Sequence, residues 1–275
     1  MRLRTVDAFT DRAFGGNPAG VIRLDGLPEP PPERWLAALA AEINLAETAF
    51  VAATDHGAAD FGLRWFTPTV EVDLCGHATL AAAHCLFADG LQGPLRFATR
   101  SGVLTVTALP DGSRCMDFPA GPATRIVAPP GLAGILGAEP VWVGLGGTND
   151  YLVELADAAT VRSLAPDLAR LARLPVRGVM VTAASDVPEA DFVSRFFGPA
   201  VGVAEDPVTG SAHTVLGPYW ASRSGRDELV GLQVSPRTGL VGVRLVGDRV
   251  LLSGRAVTVL DARLSAEASA FGQYR

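Results

Sequence analysis

Residues 64–72 read RWFTPTVEV and residues 195–203 read RFFGPAVGV. Both fit Arg-aromatic-Phe-x-Pro-x-Val-x-Val, at an offset of 131 residues. The same offset carries Gly15-Gly16 onto Gly146-Gly147 and Val51-Ala52-Ala53 onto Thr182-Ala183-Ala184. Beyond the shared Val-x-Val, Cys75-Gly76-His77-Ala78 answers to Thr209-Gly210-Ser211-Ala212, with three residues inserted. One short match arises by chance; several in register point to a duplicated unit, and a repeat has to be read before the fold. The expectation is two homologous halves, 1–125 and 126–275. They join where breakers cluster, at Gly121-Pro122 and Pro129-Pro130-Gly131, and the terminal strands are free to cross between them.

Each half is a series of short β-like runs bounded by Gly, Pro and Asp. In the first they are Leu3–Phe9, Gly20–Leu24, Thr48–Ala53, Phe61–Phe66, Leu95–Thr99 and Val103–Ala108. In the second they are Val141–Gly144, Tyr151–Glu154, Val179–Ala183, Phe192–Phe196, Leu232–Ser235, Leu240–Leu245 and Arg249–Gly254. Helices are expected at Glu33–Ile43 and around Ala165–Leu171. Two more stand out because they lack a polar face: His77–Leu86 (HATLAAAHCL) and Ser211–Trp220 (SAHTVLGPYW). A helix apolar all round has to be enclosed by protein. Pro218 is expected to kink or end the second one. A curved sheet wrapped around one buried helix, made twice with a cleft between, satisfies the pattern: an α+β chain of two similar domains.

Composition narrows the chemistry. The 275 residues include 23 basic and 29 acidic side chains, a formal charge of −6, with 48% hydrophobic and 19% charged residues. That is enough apolar material for a substantial core. A mean hydropathy of +0.27 comes from scattered Ala, Val and Leu, so no membrane span is expected. Every basic residue is Arg. A chain without lysine has no Schiff-base lysine for pyridoxal phosphate and no lysine-bearing phosphate loop. An acidic pI near 5.2 without a basic run argues against nucleic acid. Three cysteines without paired spacing (Cys75, Cys85, Cys115), and a start, MRLRTVDAFTDRAF, without the apolar stretch of a signal peptide, suggest a reducing, cytoplasmic setting.

The two apolar helices each begin at a glycine, Gly76 and Gly210. A helix start presents free N–H groups and partial positive charge, which suits a carboxylate or an enolate formed in reaction; each glycine also serves plain helix–sheet packing. Glu47 has Gly178 at its repeat position, so an ionisable group is kept in one copy only. Its neighbours Leu45, Ala46, Ala49 and Phe50 are expected to raise its pKa toward that of a useful acid–base; the alternative is a strand-edge carboxylate in water. Asp206, just before Gly210-Ser211, is either a second carboxylate for the substrate or a helix-start charge. Ser211 either donates to a substrate oxygen or caps its helix. His77 opens the other helix and suits carboxylate binding or proton transfer. His84, seven residues on, reads as core. Cys75 precedes a helix start, which lowers a thiol pKa, or is a small buried residue. Asn17 follows the Gly15-Gly16 turn and either positions a substrate or shapes the turn. His77, His84 and Cys75 do not form a zinc pattern, and no metal is expected.

These segments resemble the PhzF-like phenazine biosynthesis protein family. The matching runs are DAFTDRAFGGNPAGV (7–21), NLAETAF (44–50), RWFTPTVEVDLCGHATLAAAH (64–84) and GVAEDPVTGSAH (202–213). The resemblance implies the diaminopimelate-epimerase-like fold, two domains each with a sheet rolled round a central helix and the site between them. It also implies an isomerase or epimerase that works without a cofactor on a small carboxylate-bearing molecule, such as a cyclic amino or hydroxy acid, and it implies a homodimer. By the same resemblance Glu47 is the acid–base, and His77, Asp206, Gly210 and Ser211 line the pocket. Related two-cysteine epimerases place a Cys in each half; here Cys75 matches the first and the second is absent, so a carboxylate mechanism fits better. The rival readings are an amino-acid racemase using Cys75 with a carboxylate, and a non-enzymatic binding protein on the same fold.

Overall fold

The computed structural model describes residues 1–27 and 29–274. They form two compact units, Met1–Asp117 with Gly254–Arg275, and Phe118–Ser253. The first unit runs to Asp117, and the strand near the C-terminus belongs to it. The cause is pairing: Ala256–Arg263 runs antiparallel along the whole of Arg2–Ala8.

In the first unit the strands lie side by side in the order Ala256–Arg263, Arg2–Ala8, Asn17–Arg23, Glu47–Ala52, Phe61–Phe66, Leu95–Thr99, Gly102–Ala108 and Arg114–Pro119. In the second the order is Thr124–Arg125, Trp142–Leu145, Asp150–Glu154, Gly178–Ala184, Phe192–Gly198, Glu228–Gln233, Gly239–Val246 and Arg249–Gly254. Parallel pairings fall at the same two places in both orders. The repeat reaches individual registers: Ala19 faces Glu47 as Asp150 faces Gly178, and Thr48 faces Phe66 as Val179 faces Phe197. It reaches side chains too. Arg64 pairs with Glu71 and lies over Phe66; Arg195 pairs with Glu205 and lies over Phe197.

The apolar helices occupy the expected place. Gly76–Ala88 packs on strands Arg2–Ala8, Asn17–Arg23 and Glu47–Ala52, with Leu80, Ala81, Ala82 and Leu86 wholly buried. Gly210–Ser224 packs on Asp150–Glu154, Glu228–Gln233 and Gly239–Val246. The opposite faces of the central strands are apolar as well. Ile22, Phe50 and Phe66 meet Trp35 and Leu36 of helix Glu33–Ile43, and their repeat partners Val153, Val181 and Phe197 lie in a core with Val161 and Leu171. Strands covered on both faces lose the polar alternation of a half-exposed sheet.

Three expectations need correction. Helix Gly210–Ser224 does not end at Pro218 but continues for six more residues. Proline leaves the carbonyl four residues back without its donor, and here Gly121 N–H donates to that carbonyl, Thr214 O, at 3.1 Å. The single helix expected around Ala165–Leu171 is two short ones, Ala158–Ser163 and Leu168–Leu171, each opened by an aspartate that accepts from a backbone N–H. His84 is half-buried, with Nε2 2.9 Å from Thr258 Oγ1, rather than fully in the core. Among the described residues no helix is long and apolar enough to cross a membrane.

Candidate active site

Four of the sequence-selected residues meet at the start of the first central helix. Glu47 opens strand Glu47–Ala52, Asn17 opens its parallel neighbour Asn17–Arg23, and Cys75 is the N-cap of helix Gly76–Ala88. His77, the helix's second residue, lies among them, 5% exposed. Its Nε2 is 3.2 Å from Glu47 Oε2. Its Nδ1 faces Asn17 Nδ2 at 3.2 Å and Cys75 Sγ at 3.5 Å. The N-cap residue Cys75 makes no side-chain capping bond, so the first N–H groups of the helix keep their partial positive charge.

The charge state differs from the expectation. Burial alone pushes the Glu47 carboxyl up, as an apolar setting should, but the His77 charge, with the polar contacts of His77 and Cys75, outweighs it and holds the carboxyl below its ordinary value. Burial pulls His77 down, and its neighbours Cys75 and Glu47 raise it well above the ordinary imidazole value; with the Cys75 thiol held protonated, the negative charge that faces the ring is that of Glu47. These directions favour a carboxylate and an imidazolium as the resting pair. Cys75 departs from expectation in the other direction: burial and the Glu47 charge raise the thiol, overriding His77 and the helix start. Asn17 links to this state. Nδ1 accepts from the Asn17 amide only in the neutral ring; once Nδ1 is protonated, the amide has to turn its oxygen toward it.

Oxygen, sulfur and nitrogen donors of Glu47, Cys75 and His77 lie within 4.8 Å of one another. Glu47 and Cys75 sit nearest to different ring nitrogens, so a single ion taking all three would have to draw one of them round the ring.

The other selected residues gather at the start of the second central helix. Asp206 ends strand Val203–Asp206 and accepts from Thr209 Oγ1 at 2.6 Å. Thr209 is the N-cap and caps nothing with its side chain; its N–H donates to Gln233 Oε1, whose amide returns a bond to Asp206 O. Ser211 Oγ accepts from Arg177 Nη2 at 3.0 Å.

The sequence matches the PhzC–PhzF family, described as phenazine biosynthesis-like protein, over residues 6–262. This chain belongs to the phenazine biosynthesis-like family. The match takes in every site residue from Asn17 to Ser211. An uncharacterized isomerase of Pseudomonas aeruginosa is 51% identical over 96% of this chain and 98% of its own. A crystal structure of a PhzF-family phenazine biosynthesis protein from Enterococcus faecalis superposes with a TM-score of 0.88 at 40% identity, covering 96% of this chain and 99% of that one. A hydroxyproline epimerase from Agrobacterium vitis, with bound trans-4-hydroxy-L-proline, shares the fold at a TM-score of 0.62 and 13% identity, over 95% of this chain and 91% of that one. The architecture is accordingly diaminopimelate-epimerase-like.

Two polar residues of this phenazine biosynthesis-like chain escape a reading by local motif: Asp150 and Arg177, which ion-pair beneath Ser211. Comparing the halves position by position exposes them, since their repeat partners are Ala19 and Ala46.

One histidine sets an acid limit on stability. His213 is wholly buried in the second central helix, with Nδ1 donating to Thr209 O at 2.8 Å. The carbonyl fixes the proton on Nδ1, and Nε2 has no hydrogen-bond partner among the described residues. Burial pushes its pKa down to about 4. Between about 6.5 and 4 the unfolded chain binds a proton that the folded chain refuses, so stability falls as pH falls through that window. The full effect is about 3 kcal/mol. His84, also held near 4 by burial and by Arg114 and Arg4, adds in the same direction. His213→Thr, the residue type at the repeat position Thr79, is expected to flatten the slope of unfolding free energy against pH in urea melts; an unchanged slope would rule His213 out as a source of it.

Proposed function

We propose that the chain is an isomerase that moves a proton on a small carboxylate-bearing molecule, with Glu47 as the acid–base. The observation that carries this is the Glu47–His77 pair at an uncapped helix start. A carbon acid needs three things: a base already ionised, positive charge where the enolate forms, and a way to return the same proton. Glu47 held as carboxylate is the base. The first N–H groups of helix Gly76–Ala88 and the His77 imidazolium supply the charge. Glu47, protonated by the substrate, then sits beside a cation, which makes it a stronger acid than an ordinary carboxyl and drives the proton back to a different carbon or face.

Within this proposal Asn17 orients His77 and Gly76 lets substrate approach the helix start. Asp206, Gly210 and Ser211 keep the role the resemblance implies for them, contacts to the substrate. No step calls for a cofactor. Kinship supports the reaction class: the Pseudomonas relative is named an isomerase and the Agrobacterium fold neighbour an epimerase. The raised Cys75 thiol counts against a thiol base.

The test is incubation in D₂O with a panel of cyclic and acyclic amino and hydroxy acids, read by mass. Incorporation of solvent deuterium into one compound supports the proposal and gives the substrate class. Silence across the panel, with folded protein, favours the binding-protein reading.

A further inference from the structure

The two copies of the repeat differ by one pair of charges at the foot of each central helix. In the first copy the pair is Glu47 with His77. In the second, the matching positions are Gly178 and Ser211. A side chain cannot be restored at 178, because a Cβ there would lie 2.4 Å from the Phe196 ring. Instead a different pair appears next door: Arg177 and Asp150, where the first copy has Ala46 and Ala19.

The Asp150 side chain is wholly buried, while that of Arg177 remains 35% exposed. Arg177 Nε donates to Asp150 Oδ1 at 2.9 Å, Nη2 donates to Asp150 Oδ2, and Thr148 donates to the same carboxylate. The guanidinium carbon stands 5.2 Å from the centre of the Phe196 ring. Nη2 also donates to Ser211 Oγ at 3.0 Å. The arm is therefore fixed along one edge, over one face and at one tip. Stability does not account for it, since a buried ion pair gains little over the apolar pair the first copy keeps. What remains uncommitted is a set of donors. The Arg177 Nη1 group has no hydrogen-bond partner among the described residues. Ser211 Oγ accepts from Arg177, which leaves its own proton to give away. Two neighbouring donors suit the two oxygens of a carboxylate.

We propose that Arg177 and the Ser211 hydroxyl form a binding site for a carboxylate group of the ligand, with Asp150 as the buried residue that positions Arg177. The proposal deepens the isomerase reading and rests on it for the identity of that ligand as substrate. Asp150 offsets the arginine charge, so recognition comes from directed hydrogen bonds and depends little on ionic strength.

The site is tested by equilibrium binding without turnover, so the result does not depend on whether Glu47 carries protons. The probes are acetate, benzoate and L-proline, each compared with its neutral amide. Wild type is expected to bind at least one carboxylate roughly tenfold or more tighter than the amide, the worth of a charge-assisted hydrogen bond. Ser211→Ala should lose several-fold of that preference. Asp150→Asn/Arg177→Gln, which leaves no buried charge unpaired, should abolish it. Preference intact in the double variant overturns the proposal, as does the absence of preference for any of the three carboxylates in wild type. Preference that behaves as expected, with no deuterium exchange on any compound, would leave this site standing and remove the isomerase reading.

Discussion

Glu47→Gln is expected to slow solvent-deuterium incorporation by about 10²–10⁴-fold, the range that a positioned general acid–base contributes. Glutamine keeps the shape and a hydrogen-bonding oxygen beside His77 but cannot take a proton. The protein should remain folded, because the change removes a buried charge. His77→Asn is expected to cost less: the helix start still offers its N–H groups, but Glu47 loses the cation that keeps it ionised. Its residual activity should therefore need a higher pH than wild type. Cys75→Ser is expected to stay within about tenfold of wild type, since the thiol is raised and protonated. The opposite ranking, with Cys75→Ser inactive and Glu47→Gln active, would transfer the base to the thiol and favour the racemase reading.

Arg195→Ala is expected to give the largest loss of stability, about 3–5 kcal/mol, as for breaking a buried pair from one side. Arg195 is 9% exposed. Its Nε and Nη2 hold Glu205 at 2.7 and 2.9 Å, and Nη1 donates to the carbonyls of Val161, Arg162 and Leu164. Those carbonyls close the short helix Ala158–Ser163. Alanine would leave the carboxylate and three carbonyls short of a donor at once. Arg64 is the built-in control. It holds the same repeat position, but its side chain is 37% exposed and its partner Glu71 is also held by Arg100 at 2.6 Å. Arg64→Ala should cost no more than about 1 kcal/mol. Urea midpoints of the two variants measure the difference; equal losses would mean that the carbonyl contacts of Arg195 carry no weight.

The duplication was legible because its marks are local. RWFTP and RFFGP sit on equivalent segments, but the three extra residues fall before Glu205 rather than beyond the second Val-x-Val, so that Glu71 and Glu205 both stand opposite their arginines. The same locality made Glu47, Cys75 and His77 visible. Their charge state was not, because it depends on Glu47 and His77 meeting through space, thirty residues apart in the chain. An apolar neighbourhood argues for a raised carboxyl; one imidazolium at 3.2 Å reverses it. Residues 256–263 fall in the second half by position, and only the pairing of Ala256–Arg263 with Arg2–Ala8 places them in the first unit. Pro218 fails as a helix breaker for a similar reason, since the donor that replaces its missing bond comes from Gly121, about a hundred residues earlier. Asp150 and Arg177 look ordinary in their own segments and become conspicuous only beside Ala19 and Ala46.

The measurement to make is the ¹⁵N spectrum of His77 in histidine-labelled, substrate-free protein, with the signals assigned by their loss in His77→Asn. Both ring nitrogens are predicted to be protonated well above the ordinary imidazole midpoint near 6.5. In Glu47→Gln the ring should lose its proton at a lower pH, because the carboxylate that holds the charge is gone. A His77 ring that is neutral near pH 6.5 in wild type, or that titrates identically in Glu47→Gln, would contradict the charged pair and with it the assignment of Glu47 as the ready base.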